Sequence, residues 1–294
     1  MSKTLAEQLL GELSLEQLDL DIFRAHSNTQ LGDRLFGGLG LGQALSALQR
    51  TVEEDRVCHS LHAYFLRPGR VNQPVIFHVD RIRDGKSFTT RRVKGVQNGE
   101  AIFSMDASFQ VNEEGLSHQL PMADFPSPET LEEDRLVAAR IPNLGERAIW
   151  MTRERPFELR SVHPIDQPPD GRDHQAVWVR FLAPVTASHS HQQLLAYASD
   201  MGLVSTASIP HRQRIARDTL QMASLDHALW FHAPFDICDW LLYYKESPVS
   251  HSARGMNRGL FYTRDGKLIA STMQEGLMRI IGDASLPGRV GRFK

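Results

Sequence analysis

Cysteine is almost missing from this chain of 294 residues: Cys58 and Cys238 are the only two. Two thiols build neither a disulfide framework nor a cysteine-based zinc site, and such sparing use suits a reducing compartment. An excess of charge of one sign is missing too. Lys and Arg number 33 against 35 Asp and Glu, a net charge of -2, so there is no field to draw nucleic acid or an anionic membrane. Long apolar runs are lacking. The opening MSKTLAEQLLGELSLEQ reads as an amphipathic helix with acidic residues throughout, not as a signal peptide. A cytoplasmic protein without nucleic-acid or membrane partners is expected.

Several motifs fail as well. Gly37-Gly38-Leu39-Gly40-Leu41-Gly42 resembles a dinucleotide-binding turn, but Gln43 stands where its last glycine belongs and no βαβ pattern surrounds it. Those glycines are expected to let a helix pack tightly on a sheet. No G-x-S-x-G elbow offers an activated serine. The thirteen histidines are scattered. Pairs such as His59/His62 and His189/His191 lack an H-E-x-x-H setting, which predicts strand-edge or surface histidines and no metal site.

What the chain does contain is a pattern met twice. After a stretch over Leu35 to Leu48, glycine-rich at first and helical later, strands are predicted at His59 to Leu66, Val75 to Ile82, Phe88 to Val96 and Ala101 to Val111, with Asn98-Gly99 as a tight hairpin turn. From 112 to about 155 prolines punctuate a charged segment, read as a connection. Strands then return at Phe157 to Val162 and Ala176 to Leu182. A helix over His191 to Leu203 follows, and then strands at Leu220 to Phe231, Trp240 to Ser247 (closed by Pro248), Ala253 to Thr263 and Leu268 to Arg279. Tyr64-Phe65-Leu66-Arg67-Pro68 matches Trp230-Phe231-His232-Ala233-Pro234, and Asn98-Gly99 matches Asp265-Gly266, a duplication at a spacing of roughly 166 residues. One helix and several antiparallel strands per half is an α+β layout. The expected domains are 1–112 and 156–284, with a linker at 113–155 and a tail at 285–294. Joining the two sheets edge to edge would remove an exposed edge from each.

The helix HQQLLAYASDMGL is apolar on nearly every side, which marks it for burial. Asp200 breaks that pattern, and a carboxylate there must be paired, hydrogen-bonded or used. A helix-ending, partly solvated Asp before Gly202 is the alternative. Ser224 and Gln274 are further polar residues in apolar strand runs. A carboxylate to take a proton, with a hydroxyl and an amide to hold a water or a carbonyl oxygen, would suit one hydrolytic task. Sequence spacing alone does not bring them together.

A family resemblance runs from about Leu5 to Arg279. It is carried by Phe36-Gly37-Gly38 with Gly42-Gln43-Ala44-Leu45, by His59 to Gly69 (HSLHAYFLRPG), and by Arg83-Asp84-Gly85-Lys86-Ser87-Phe88 with Arg91-Arg92-Val93. Leu225 to His232 (LDHALWFH) and Ala270 to Gly276 (ASTMQEG) complete it. In these the chain resembles the type II acyl-CoA thioesterases of the bacterial TesB kind, two fused hotdog domains in which a long central helix is wrapped by an antiparallel sheet. The resemblance implies hydrolysis of a fatty acyl-CoA to a free acid and CoA, with Asp200, Ser224 and Gln274 holding the attacking water. It implies no cofactor, coenzyme A being part of the substrate, and a homo-oligomer, dimer or tetramer. Ser224 stands where the family commonly has Thr, and Leu39 where Gln is common. A polyanionic CoA calls for local basic groups; Arg212, Arg214 and Arg217, and Arg254 before Gly255, are the candidates. Two alternatives remain. A hotdog hydratase or dehydratase would need a His where Ser205 stands, and a non-catalytic acyl-CoA-binding module would need no polar trio.

Overall fold

In the computed structural model, residues 2–26, 34–142, 151–166, 172–213, 215 and 219–281 are described. Helix α1 (Ser2–Leu13) leads into two short strands, β1 (Glu16–Asp19) and β2 (Ile22–Ala25). Helix α2 (Gly37–Gln49) precedes β3 (Arg56–Phe65), β4 (Val75–Asp84), β5 (Phe88–Gln97) and β6 (Glu100–Val111). The connecting segment holds a short 3-10 turn (Pro128–Thr130) and α3 (Asp134–Ala138). The second half contains β7 (Phe157–Ser161), β8 (His174–Phe181), α4 (Ser188–Ser199) and a 3-10 helix (Val204–His211). It ends with β9 (Leu220–Ser224), β10 (Asp226–Phe231), β11 (Leu241–His251), β12 (Arg254–Thr263) and β13 (Leu268–Ile280).

All the described strands belong to one antiparallel sheet in the order β1-β2-β4-β5-β6-β3-β10-β13-β12-β11-β8-β7, with β9 paired to β13. The order is the same read outward from its middle. At that middle β3 pairs with β10, Leu61 opposite Leu229, so each half covers the other's open edge. Each half lays a helix across its concave face, and one continuous core takes residues from both halves, including Leu41 and Leu45 of α2 and Leu194 and Leu195 of α4.

The glycines of α2 act differently from the expectation. Gly38 and Gly42 face the other helix rather than the sheet. A Cβ on Gly38 would collide with the carbonyl oxygen of Tyr197, and one on Gly42 would lie 3.0 Å from that of Gln193. Pairing 38 with 197 and 42 with 193 makes α2 and α4 antiparallel, with backbones in contact at these points. Only a Cβ on Gly40 would meet the sheet first, at Phe103.

Turn chemistry accounts for most strand ends. Asn98 and Gly99 both have positive φ, 51° and 79°, as a tight hairpin requires. Two predicted strands change shape. Pro248 does not end β11; it sits where the β11–β12 register shifts between Glu246 and Val249, a bulge that tolerates a residue without an N–H. The run Leu220 to Phe231 is two strands broken at Leu225, so that β10 can pair with β3 as well as β13.

The connecting segment lies along the outer face of the second half. Trp178 Nε1 donates to Pro126 O at 2.9 Å, and the Gln119 amide clasps the β12–β13 turn through Gly266 O (2.7 Å) and Leu268 N (3.0 Å). Beneath it Trp178, Trp240, Leu242 and Tyr262 form a second apolar cluster with Met122 and Phe125 packed on it. The outer face of β4 and β5 shows His78, Asp80, Arg92 and Lys94 to solvent and bears no such cluster.

Candidate active site

Helix α4 ends with its last carbonyls held by the sheet below. Tyr243 Oη donates to Ser199 O at 2.6 Å, and Lys245 Nζ donates to Met201 O at 3.1 Å. A cation suits the negative end of a helix dipole. Burial pulls the Lys245 ammonium down to about 8. Asp200 is the C-cap residue of this helix and is buried. Its carboxylate meets the opposite end of α2, where it accepts a hydrogen bond from the Gly38 N–H. The glycine pair permits this approach, for a Cβ on Gly37 would stand 2.7 Å from Asp200 Oδ2. Asp200 therefore lies between a helix C-terminus and a helix N-terminus. Burial pushes it up to about 6, against the opposing pull of its hydrogen bonds from Gln274 and Gly38.

Gln274 reaches Asp200 from β13. Its Nε2 donates to Asp200 Oδ1 at 2.7 Å and also contacts His227 Nδ1 at 3.1 Å. The other amide atom, Gln274 Oε1, is buried with no hydrogen-bond partner. Beside it on β12 stands Asn257, the cross-strand neighbour of Gln274. Asn257 Nδ2 donates to Gly255 O and Gln274 O, both at 3.3 Å, and its Oδ1 is also buried and unpartnered. Each of these two buried acceptors, on neighbouring strands, calls for a hydrogen-bond donor such as water.

Ser224 ends β9 opposite Gly276, two residues along β13 from Gln274. His227 lies three positions beyond Ser224, yet Gln274 lies only two positions from Gly276, so the break at Leu225 inserts one extra residue. That bulge turns Ser224 and His227 onto the same inward face as Gln274. Asp226 holds the break open by accepting from Glu275 N at 2.6 Å. Asp200 and Gln274 are in direct contact; Ser224 faces the same side, and among the described residues its hydroxyl bonds to neither.

Arg254 opens β12 at the surface, ion-paired with Glu275 at 2.8 Å. Gly255 packs its backbone against Ala207 of the 3-10 helix. Arg212 caps that helix at its end; Arg214 and Arg217 lie outside the described residues. Ser205 donates to Gly202 O at 2.8 Å. Among the described residues no cluster of three His, Cys, Asp or Glu side chains is arranged to hold a metal ion.

His227 and Asn257 escaped the sequence reading. His227 is neither at an edge nor at the surface: it is 1% exposed, and burial drives its imidazole down to about 3. Its signal was readable, because alternation puts it on the face of Leu229 and Phe231. Asn257 likewise shares the buried face of Gly255, Gly259 and Phe261.

The first half shows what the same frame looks like without such a site. Arg91 pairs with Ala107 across β5 and β6 as Asn257 pairs with Gln274 across β12 and β13. The buried Arg91 guanidinium is spent on Thr51 O and Oγ1, Arg83 O, Thr90 O and Asp84 Oδ1. No carboxylate–amide pair stands there among the described residues.

A helix against a curved antiparallel sheet, repeated and joined at an edge, is the double hotdog fold. The chain matches the family described as "Acyl-CoA thioesterase" over residues 151–277 and "Acyl-CoA thioesterase N-terminal domain" over 25–110. It is 38% identical to Acyl-CoA thioesterase 2 of Haemophilus influenzae over 280 residues, covering 92% of this chain and 96% of that one. It is 40% identical to the mouse (Mus musculus) Acyl-coenzyme A thioesterase 8 over 282 residues, covering 91% and 88%. The crystal structure of the acyl-CoA thioesterase II TesB2 from Mycobacterium marinum is similar with a TM-score of 0.77 at 39% identity, over 94% of this chain and 98% of that one. The chain belongs to the acyl-CoA thioesterase family, and it is a thioester hydrolase.

Proposed function

We propose that the chain hydrolyses fatty acyl-CoA thioesters by direct attack of water held by Asp200 and Gln274, with Ser224 as the third contact. The observation that carries this is the buried Asp200–Gln274 pair, a carboxylate poised at about 6 beside an amide whose Oε1 has no partner. A water lodged there donates one hydrogen to Gln274 Oε1 and the other to Asp200. As its oxygen attacks the thioester carbonyl carbon, Asp200 takes that proton and returns it to the departing CoA sulfur. The products are a carboxylic acid and CoA, and the carboxylate is regenerated. Ser224 would reach the water or the carbonyl oxygen once substrate fills the face it shares with Gln274.

No acyl-enzyme is part of this scheme. Burial raises the Cys58 thiol and lifts Cys238 up to about 11, so neither is a ready thiolate. No cofactor is called for. Arg212, Arg214, Arg217 and Arg254 are proposed to hold the CoA phosphates, with the backbone at Gly255 beside them. Cytoplasmic residence and a homo-oligomer complete the proposal.

The test is thiol release from a panel of acyl-CoAs by purified wild type and Asp200→Asn. Loss of roughly two to four orders of magnitude in a folded protein is expected for removal of a general base. Near-normal turnover by Asp200→Asn would refute it.

A further inference from the structure

The geometry points to His227 and Ser199 as positioning residues that fix which end of the Gln274 amide faces the attacking water. This deepens the proposed function and rests on its reading of Gln274.

Ser199 lies in the last turn of α4, where its hydroxyl donates to Ala196 O at 2.8 Å. That bond uses the only hydrogen on Oγ. His227 Nε2 lies 2.8 Å from the same oxygen, so the imidazole must donate through Nε2–H. The ring is 1% exposed, and burial drives it down to about 3, so it is neutral at pH 7. A neutral ring protonated on Nε2 carries a lone pair on Nδ1. The atom facing that lone pair at 3.1 Å is Gln274 Nε2.

An ionised Asp200 alone would hold the amide in this orientation, because Gln274 Nε2 also donates to Oδ1 at 2.7 Å. That constraint fails during turnover. Once Asp200 has taken the proton from water it is neutral and can itself donate, so it no longer distinguishes Oε1 from Nε2. His227 Nδ1 still accepts only an N–H. It keeps the amide nitrogen turned inward and leaves Oε1, the buried atom without a partner, on the water and on the hydroxyl that the water becomes. The chain Ala196 O, Ser199, His227, Gln274 thus holds an acceptor in place through both protonation states of Asp200. Neither His227 nor Ser199 needs to touch substrate.

The two isosteric halves of the imidazole can be separated by substitution. His227→Asn places a carbonyl oxygen near the position of Nδ1 and keeps the acceptor for Gln274. His227→Gln extends an N–H toward Ser199 and loses that acceptor. Ser199→Ala removes the acceptor that selects the tautomer. Steady-state hydrolysis of one acyl-CoA over a range of concentrations should show kcat lowered about ten- to a hundredfold in His227→Gln with KM within about twofold, since the lost contact acts in the transition state. His227→Asn should stay within about threefold of wild type, and Ser199→Ala should lose about tenfold in kcat. In the wild-type enzyme, 15N NMR of the His227 ring should show the Nε2–H tautomer, a readout that needs no variant to fold. Equal kcat in the Asn and Gln variants, or an Nδ1–H tautomer, overturns the inference. Asp200→Asn assayed alongside separates the two claims: if it is inactive while His227→Gln is unimpaired, only the positioning role fails, and if Asp200→Asn is active, the proposed function fails first.

Discussion

At the scale of the residue, Asp200 sets the pH behaviour. Activity should rise with pH, about tenfold per unit, and level off above about 6, where the carboxylate is ionised. His227, held at about 3, adds no inflection in that range. The same burial affects stability. Because the folded state binds the Asp200 proton more tightly than the unfolded chain does, the associated stability is present at low pH and lost as pH rises through 6. Asp200→Asn should therefore be more stable than wild type at pH 8, by about 1–3 kcal/mol, while losing activity. Scanning calorimetry of both proteins at pH 5 and pH 8 checks this, and a gain equal at the two pH values would refute it. Ser224 supplies a second test. Ser224→Thr keeps the hydroxyl and should retain most activity, whereas Ser224→Ala should lose roughly a hundredfold in single-turnover hydrolysis. Full activity in Ser224→Ala would take Ser224 out of the proposed site.

At the scale of the element, the site depends on the contact between α2 and α4. Asp200 meets the Gly38 N–H only because Gly37 and Gly38 carry no side chain at that crossing. Gly38→Ala would put a methyl group into the Tyr197 carbonyl, which as backbone yields little. A loss of about 2–3 kcal/mol is expected, with activity falling further than stability because Asp200 shifts with the helix. Denaturant unfolding and kcat measured on the same sample check it; an unchanged midpoint would show that the helices can separate freely. Tyr243 is a further fastening, beside Lys245. Tyr243→Phe removes the bond to Ser199 O, and about 1 kcal/mol is expected from urea unfolding.

For the whole molecule, the two halves depend on each other through the β3–β10 seam. Cutting after residue 112 exposes the long edge of β3 and the inner surface of α2 that α4 covers. A fragment of residues 1–112 should aggregate or pair with itself. Its recovery as a soluble, cooperatively folding monomer would show that each half is self-sufficient. The connecting segment adds to this dependence. Trp178, Trp240 and Tyr262 form an apolar outer face on the second half that residues 119–131 cover, so those residues should resist proteolysis as long as the sheet is intact.

The repeat, the α+β class, the Asn98-Gly99 hairpin and the buried helix bearing Asp200 were all legible in the order of residues. Each is local: a period, a turn dipeptide, or a charge in an apolar segment. The pairing of Trp230 with Tyr64 by position anticipated that β3 and β10 are equivalent strands, though not that they meet. Other features depended on elements far apart in sequence. Strict alternation across Ser224 to His227 would send these side chains to opposite faces, and the bulge at Leu225 puts both beside Gln274. The glycines of α2 looked like a helix–sheet contact, but the partner is Tyr197 on a helix some 150 residues later. That Asp200 touches Gln274 and the Gly38 N–H, and that Gln274 Oε1 has no partner, follows from α4, β13 and α2 converging. Sequence alone determined which segments had to be buried, because burial is written in local pattern. Which polar groups meet inside was decided by register and helix crossing, since these are set by packing between segments that the chain order keeps apart.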